Sequence, residues 1–221
     1  MEEYVIGYGM KIKICGLTRP VEADFLNEAN VDYAGFVFYE KSKRNIDIDK
    51  AREIAARLDK HISKVAVMVS PDVADIQEKE VGGFDILQIH KELRMDVLKV
   101  AKLPIWYAMN ITDEEEAKRN WEFIDGLPKE LADKIQAVVV DAPQFGSGQT
   151  FDWQKSKRLK KAGAQSPPGR MFVLAGGLNA SNVKQGIEIF EPDIVDVSSK
   201  VEGQDGKDRE LILQFVEAVR G

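Results

Sequence analysis

Two residues of opposite chemical character close apolar runs in this chain. In KIKICGLT, Lys11 to Thr18, the only cysteine, Cys15, stands directly before a glycine; in QAVVVDAPQFGSGQT, Gln136 to Thr150, Asp141 stands before a Gly-rich stretch. Each has a plain reading by itself: a lone cysteine packs as a small buried residue, and an aspartate before glycines forms a turn. Together, a thiol and a carboxylate at two strand ends are the parts of two-sided acid–base chemistry, in which one group donates a proton while the other removes one. Alternate residues of a strand share a face, so Lys11, Lys13 and Cys15 point one way and Ile12 and Ile14 the other. Asp141 shares its face with Val139 and Ala137 by the same rule.

A second set of residues has the chemistry of an anion site. One apolar run leads into Ala175-Gly176-Gly177-Leu178-Asn179 and another into Ser198-Ser199. Glycines bring backbone N–H groups close to an oxyanion, and a helix beginning near Ser181 adds the positive end of its dipole. Two neighbouring loops of this kind predict a phosphate site rather than a plain tight turn.

These residues need a frame that brings distant strand ends together. Eight short β-rich runs recur: KIKIC, YAGFVF, KVAVMV, DILQIH, PIWYAM, QAVVVD, MFVLAG and DIVDVSS. Most precede a stretch of helical period, as at Asp49 to Leu58, Asp72 to Val81, Asp152 to Ala162, Ser181 to Ile189 and Lys207 to Val219. Eightfold strand–helix alternation predicts an α/β fold, a (β/α)8 TIM barrel in a single domain, with chemistry at the C-terminal rim. A doubly wound open sheet also alternates, but its GxGxxG turn is missing after the first strand. Ile111 to Lys134 and Ala164 to Arg170 read as irregular links. Residues 1–9 precede the first strand as a leader of uncertain role, and residues 10–221 form the catalytic barrel. Closure sets the eighth strand beside the first. Asp196, on the face of the inward Ser198, is therefore the expected partner of Lys13 in a buried ion pair beneath Cys15.

Composition narrows the classes of function. One cysteine excludes an internal disulfide, and His61 and His90 are too few for a histidine metal cluster, so no metal is expected. The net charge of -6 offers no basic footprint for nucleic acid. The first residues, MEEYVIGYGM, lack the apolar stretch of a signal peptide, and nowhere do about 18 apolar residues follow one another. The expectation is a cytoplasmic protein with a small phosphorylated ligand, with neither membrane nor nucleic acid as partner, and a monomer or homodimer.

Across Lys11 to the C-terminus the chain resembles phosphoribosylanthranilate isomerase of tryptophan biosynthesis. The resemblance rests on ordered blocks: KICGLT, GFVF with SKR, LQIH, VVVD followed by GSGQTFDW, LAGGLNASNV, and DVSSKVE with GKD. It implies a barrel that needs no cofactor and performs an Amadori rearrangement of N-(5'-phosphoribosyl)anthranilate to 1-(o-carboxyphenylamino)-1-deoxyribulose 5-phosphate. On that footing Asp141 is the general acid and Cys15 the general base, Arg44 holds the anthranilate carboxylate, His90 contacts substrate, and Gly176, Gly177, Ser198 and Ser199 hold the phosphate. The chain departs from the family pattern at three glycine positions, occupied by Lys91, Phe145 and Lys200. The alternatives are a differently specific phosphosugar-binding barrel, including a Schiff-base aldolase built on Lys13, and a barrel that binds without turnover.

Overall fold

The computed structural model describes residues 9–110, 114–141 and 170–221. Eight parallel strands close on themselves in sequence order. They are β1 (Lys11–Cys15), β2 (Tyr33–Phe38), β3 (Ser63–Val69), β4 (Ile86–His90), β5 (Ile105–Asn110), β6 (Ile135–Asp141), β7 (Met171–Ala175) and β8 (Ile194–Val197). The barrel expected from the alternation is therefore the fold, and β1 and β2 carry the bounds of their sequence runs.

Around the strands lie α1 (Val21–Ala29), α2 (Ile48–Ala55), α3 (Val73–Val81), α4 (Met95–Val100), α5 (Glu114–Asp125), α6 (Lys129–Ala132), α7 (Val183–Phe190) and α8 (Arg209–Arg220). Local chemistry sets several starts. Asp47, Asp72 and Asp208 each accept from a backbone N–H of the first turn of α2, α3 and α8, and at α3 Asp75 returns the bond to make a capping box. The expected link Ile111 to Lys134 is corrected: it contains α5 and α6. Highly charged EEEAKRNWEFID buries Trp121 and Ile124, too narrow a stripe for a strong helical period. The expected helix Asp152 to Ala162, residues 164–169 of the second link and the proposed leader through residue 8 lie outside the described residues.

Strand alternation divides the core into two layers. Ile12, Ile14, Phe36, Leu87 and Val195 pack outward against the helices. Cys15, Tyr33, Val67, Trp106, Val139 and Ile194 pack in the lumen, where Tyr33 and Trp106 meet edge to face with centroids 4.9 Å apart. The lumen is thus filled below the rim at which the strands end. Among the described residues no helix is long and apolar enough to cross a membrane.

Candidate active site

Cys15 is the last residue of β1 and packs in the lumen layer, as its alternation predicts. Its register partner on β2 is Gly35, where an added Cβ would lie 2.8 Å from the Cys15 Sγ. That strand position must stay without a side chain for the thiol to occupy its place. Gly16 then turns the chain at φ +87, and both its N–H (2.8 Å) and that of Leu17 (3.1 Å) donate to the Gly35 carbonyl. A Cβ on Gly16 would strike the Arg44 side chain.

One layer down, Lys13 Nζ donates to Asp196 Oδ2 at 2.6 Å, the buried pair expected from barrel closure. Burial alone would lower the lysine pKa, but the Asp196 carboxylate and then the Cys15 thiolate outweigh it and hold the ammonium above the ordinary value. A Schiff-base amine needs the opposite shift, so Lys13 is ill suited to the aldolase alternative. For Cys15 burial is the largest influence and raises the thiol pKa; Lys13 and, more weakly, Lys207 pull it back only in part, while Asp196 adds to the rise. The cation beneath the thiol thus moderates its pKa without bringing it below the ordinary value.

Asp141 ends β6, paired with Asn110 of β5 and Ala175 of β7. Its side chain lies outside the described residues, as does Phe145. Val139, on the same face of the strand, lines the cavity described below. His90 ends β4, its Nε2 2.9 Å from Gln88 Nε2. An amide nitrogen only donates, so the ring accepts there. Burial first, then the Lys13 charge, lowers the His90 pKa to about 4, leaving a neutral imidazole at neutral pH.

Gly176 and Gly177 both take positive φ, +90 and +59, after β7. Asn182 Nδ2 donates to the Gly177 carbonyl (3.1 Å), and Asn179 N donates to Asn182 Oδ1 (2.8 Å), so the turn is braced before α7 begins. Ser198 Oγ donates to the Cys15 carbonyl at 2.8 Å, tying the end of β8 to that of β1. The Lys91 backbone is left-handed at φ 64, the conformation that favours glycine. Lys200 instead lies in a right-handed 3-10 turn, Ser199–Val201, and its backbone has no need of glycine.

A cavity of about 450 Å³ gathers Cys15, Arg44, His90, Gly176, Gly177, Ser198 and Ser199 on one wall system, which leaves Asp141 as the one expected site residue not placed by side chain. Among the described residues no group of three His, Cys, Asp or Glu could hold a metal ion. Gly35, Glu202 and Lys207 join the site without having been expected from the sequence. Glu202 accepts from Arg44 Nε, from Arg44 Nη2 at 3.0 Å, from Lys43 Nζ at 2.9 Å and from Lys207 Nζ at 2.8 Å. The only sequence signal for these two was their presence in the DVSSKVE and GKD blocks.

Comparisons with known proteins agree with this architecture. A relative from Streptococcus gordonii named N-(5'-phosphoribosyl)anthranilate isomerase is 36% identical over 95% of this chain and 97% of its own. One of the same name from Thermoanaerobacter pseudethanolicus is 36% identical over 96% and 98%. The crystal structure of phosphoribosyl anthranilate isomerase from Thermotoga maritima superposes with a TM-score of 0.79 at 30% identity, over 95% of this chain and 98% of that one. Another structure, of phosphoribosyl anthranilate isomerase in complex with reduced 1-(o-carboxyphenylamino)-1-deoxyribulose 5-phosphate, gives 0.78 at 28% identity, with coverage of 95% and 98%. The profile of the family described as N-(5'phosphoribosyl)anthranilate (PRA) isomerase matches residues 12–218, and the chain belongs to that family of isomerases.

Proposed function

We propose that this isomerase converts N-(5'-phosphoribosyl)anthranilate to 1-(o-carboxyphenylamino)-1-deoxyribulose 5-phosphate with Asp141 as general acid and Cys15 as general base. The observation that carries the reading is the single cavity shared by the Cys15 thiol, the Arg44 guanidinium and the turns after β7 and β8. A substrate that carries a carboxylate, a phosphate and a reacting sugar finds a partner for each of the three in that one cavity.

Asp141 gives its proton to the furanose ring oxygen as the C1'–O4' bond breaks, and the anthranilate nitrogen closes a C1'=N iminium. Cys15 takes the proton from C2', the C2'–H electrons move toward the iminium, and the resulting enolamine tautomerises to the ketose. A buried thiol with a raised pKa is by itself a poor base. The iminium charge forming beside it favours the thiolate at the step that needs it. Arg44 suits the carboxylate by its permanent charge and forked donors. The positive-φ glycines 176 and 177 open backbone N–H groups to the phosphate. The Ser198 hydroxyl proton is committed to the Cys15 carbonyl, so Ser198 serves the phosphate through its backbone N–H, with Ser199 beside it. Neutral His90 offers the sugar a hydrogen-bonding group without adding charge. A cytoplasmic enzyme, monomeric or homodimeric, completes the reading.

The test is direct incubation with freshly prepared N-(5'-phosphoribosyl)anthranilate, following the fluorescence change as substrate is consumed. Wild-type turnover is expected, with Cys15→Ala and Asp141→Asn each lowering kcat by about 100- to 10,000-fold, the usual worth of a general acid or base. A wild type that binds the substrate without turnover overturns the isomerase reading. Near-normal turnover in either variant removes that residue from its role.

A further inference from the structure

The cations beside the cavity mouth converge on one carboxylate. Glu202 Oε1 accepts from Arg44 Nε and Lys207 Nζ, and Oε2 accepts from Arg44 Nη2 and Lys43 Nζ. Burial opposes its charge, yet the bonds from Arg44 and Lys207 win and hold its pKa at about 2. Arg44 thereby uses Nε and one Nη2 hydrogen. Its Nη1 hydrogens and the second Nη2 hydrogen form the opposite edge, which takes no acceptor among the described residues. A guanidinium is planar and rigid, so fixing one edge fixes the plane of the other.

Lys207 extends this brace into the barrel end. It is 1% exposed, and besides Glu202 its ammonium donates to the Ser198 carbonyl at 3.0 Å and lies 3.4 Å from the Ser198 Oγ. Its backbone N–H donates at 2.8 Å to buried Glu22, whose other carboxylate oxygen accepts from Thr18 N at 2.6 Å, just past Cys15. Gly206, at φ +125, leaves room for that carboxylate, since a Cβ there would strike Glu22 Oε1. The turns after β1 and β8 are therefore pinned to each other through charged groups that do not line the cavity.

We propose that Glu202 and Lys207 are positioning residues: Glu202 sets the plane of Arg44 so that its open edge meets the substrate carboxylate, and Lys207 locks that clamp to Ser198 on the phosphate turn. This rests on the roles proposed for Arg44 and Ser198. Three cations against one anion also leave a local positive excess for a doubly anionic ligand in a chain of net charge -6.

The test compares two probes by calorimetry: the reduced product analogue and its phenylamino counterpart lacking the carboxyl group. Wild type is expected to bind the carboxylated probe more tightly. Glu202→Gln is expected to shrink that preference by about 10- to 100-fold, the worth of a well-placed charge-assisted pair. Lys207→Met is expected to weaken both probes and inorganic phosphate together while keeping the preference. A merely structural role for Glu202 would weaken both probes alike, and that result, or an unchanged preference, overturns its part. Unchanged phosphate binding in Lys207→Met overturns the other part. A wild type without any preference instead refutes the role of Arg44, so the two failures are distinct. Should Glu202→Gln not fold, Glu202→Asp carries the same comparison, with a smaller loss of preference expected.

Discussion

Lys13 and Asp196 are register partners on β1 and β8, and their side chains join at 2.6 Å inside the lumen, directly below the Cys15 thiol. The pair closes the barrel seam and fixes a positive charge under a thiol that burial would otherwise raise further. Removing the lysine leaves a buried carboxylate alone, and breaking such a pair costs about 3–5 kcal/mol. Lys13→Met is therefore expected to lower stability by that order and to raise the Cys15 pKa further, read as a shift of the alkylation-rate profile to higher pH. An unchanged profile would remove Lys13 from control of the thiol.

The absence of a side chain at Gly35 is a condition for the thiol. An added Cβ would lie 2.8 Å from Sγ and 3.0 Å from the Cys15 Cα, and backbone cannot swing away as a flexible side chain can. Gly35→Ala is expected to cost about 1–3 kcal/mol, as overpacking does. Because it displaces the base directly and reaches the phosphate turns only through the Ser198 bond to the Cys15 carbonyl, kcat should fall by much more than competition by inorganic phosphate weakens. Loss of both together would mean that the whole rim has moved.

Much of this geometry is legible in the linear chain because strand alternation is strict. The inward face of β1 and the Lys13–Asp196 pair follow from period two and closure alone. Other features depend on contacts that leave no local trace. Arg44 and Glu202 are 158 residues apart, and nothing near either one announces the pair. The rise in the Cys15 pKa reflects how completely the barrel buries it, which outweighs the neighbouring lysine. Helix α5 escaped notice because its buried stripe is narrow among many charges.

His90 offers a titration that separates burial from ordinary exposure. Its folded pKa of about 4 lies below the ordinary 6.5, so the neutral form is favoured in the folded state. The stabilisation linked to this shift is full above the ordinary value and is lost as pH falls through about 4. An NMR titration of the ring is expected to show a midpoint near that low value. His61 is exposed and serves as the second histidine signal in the same spectrum. A His90 midpoint near 6.5 would show that the ring is hydrated, and the neutral hydrogen-bonding role would then fail at mildly acid pH.

Lys91 and Lys200 stand where the sequence resemblance leads one to expect glycine, yet their backbones make opposite demands. Lys91 is left-handed at φ 64, where a side chain costs about 1–2 kcal/mol. Glycine removes that strain but adds about 0.5–1 kcal/mol of unfolded-state freedom. Lys91→Gly should therefore be neutral or stabilising, by up to about 1.5 kcal/mol. Lys200 is right-handed in the turn Ser199–Val201, so glycine relieves nothing there. Lys200→Gly should cost about 0.5–1 kcal/mol through the same added freedom. Denaturant unfolding of the two variants beside wild type measures both signs in one experiment. A destabilised Lys91→Gly would show that the lysine side chain contributes more than its backbone loses, and a stabilised Lys200→Gly would show strain in the turn after β8.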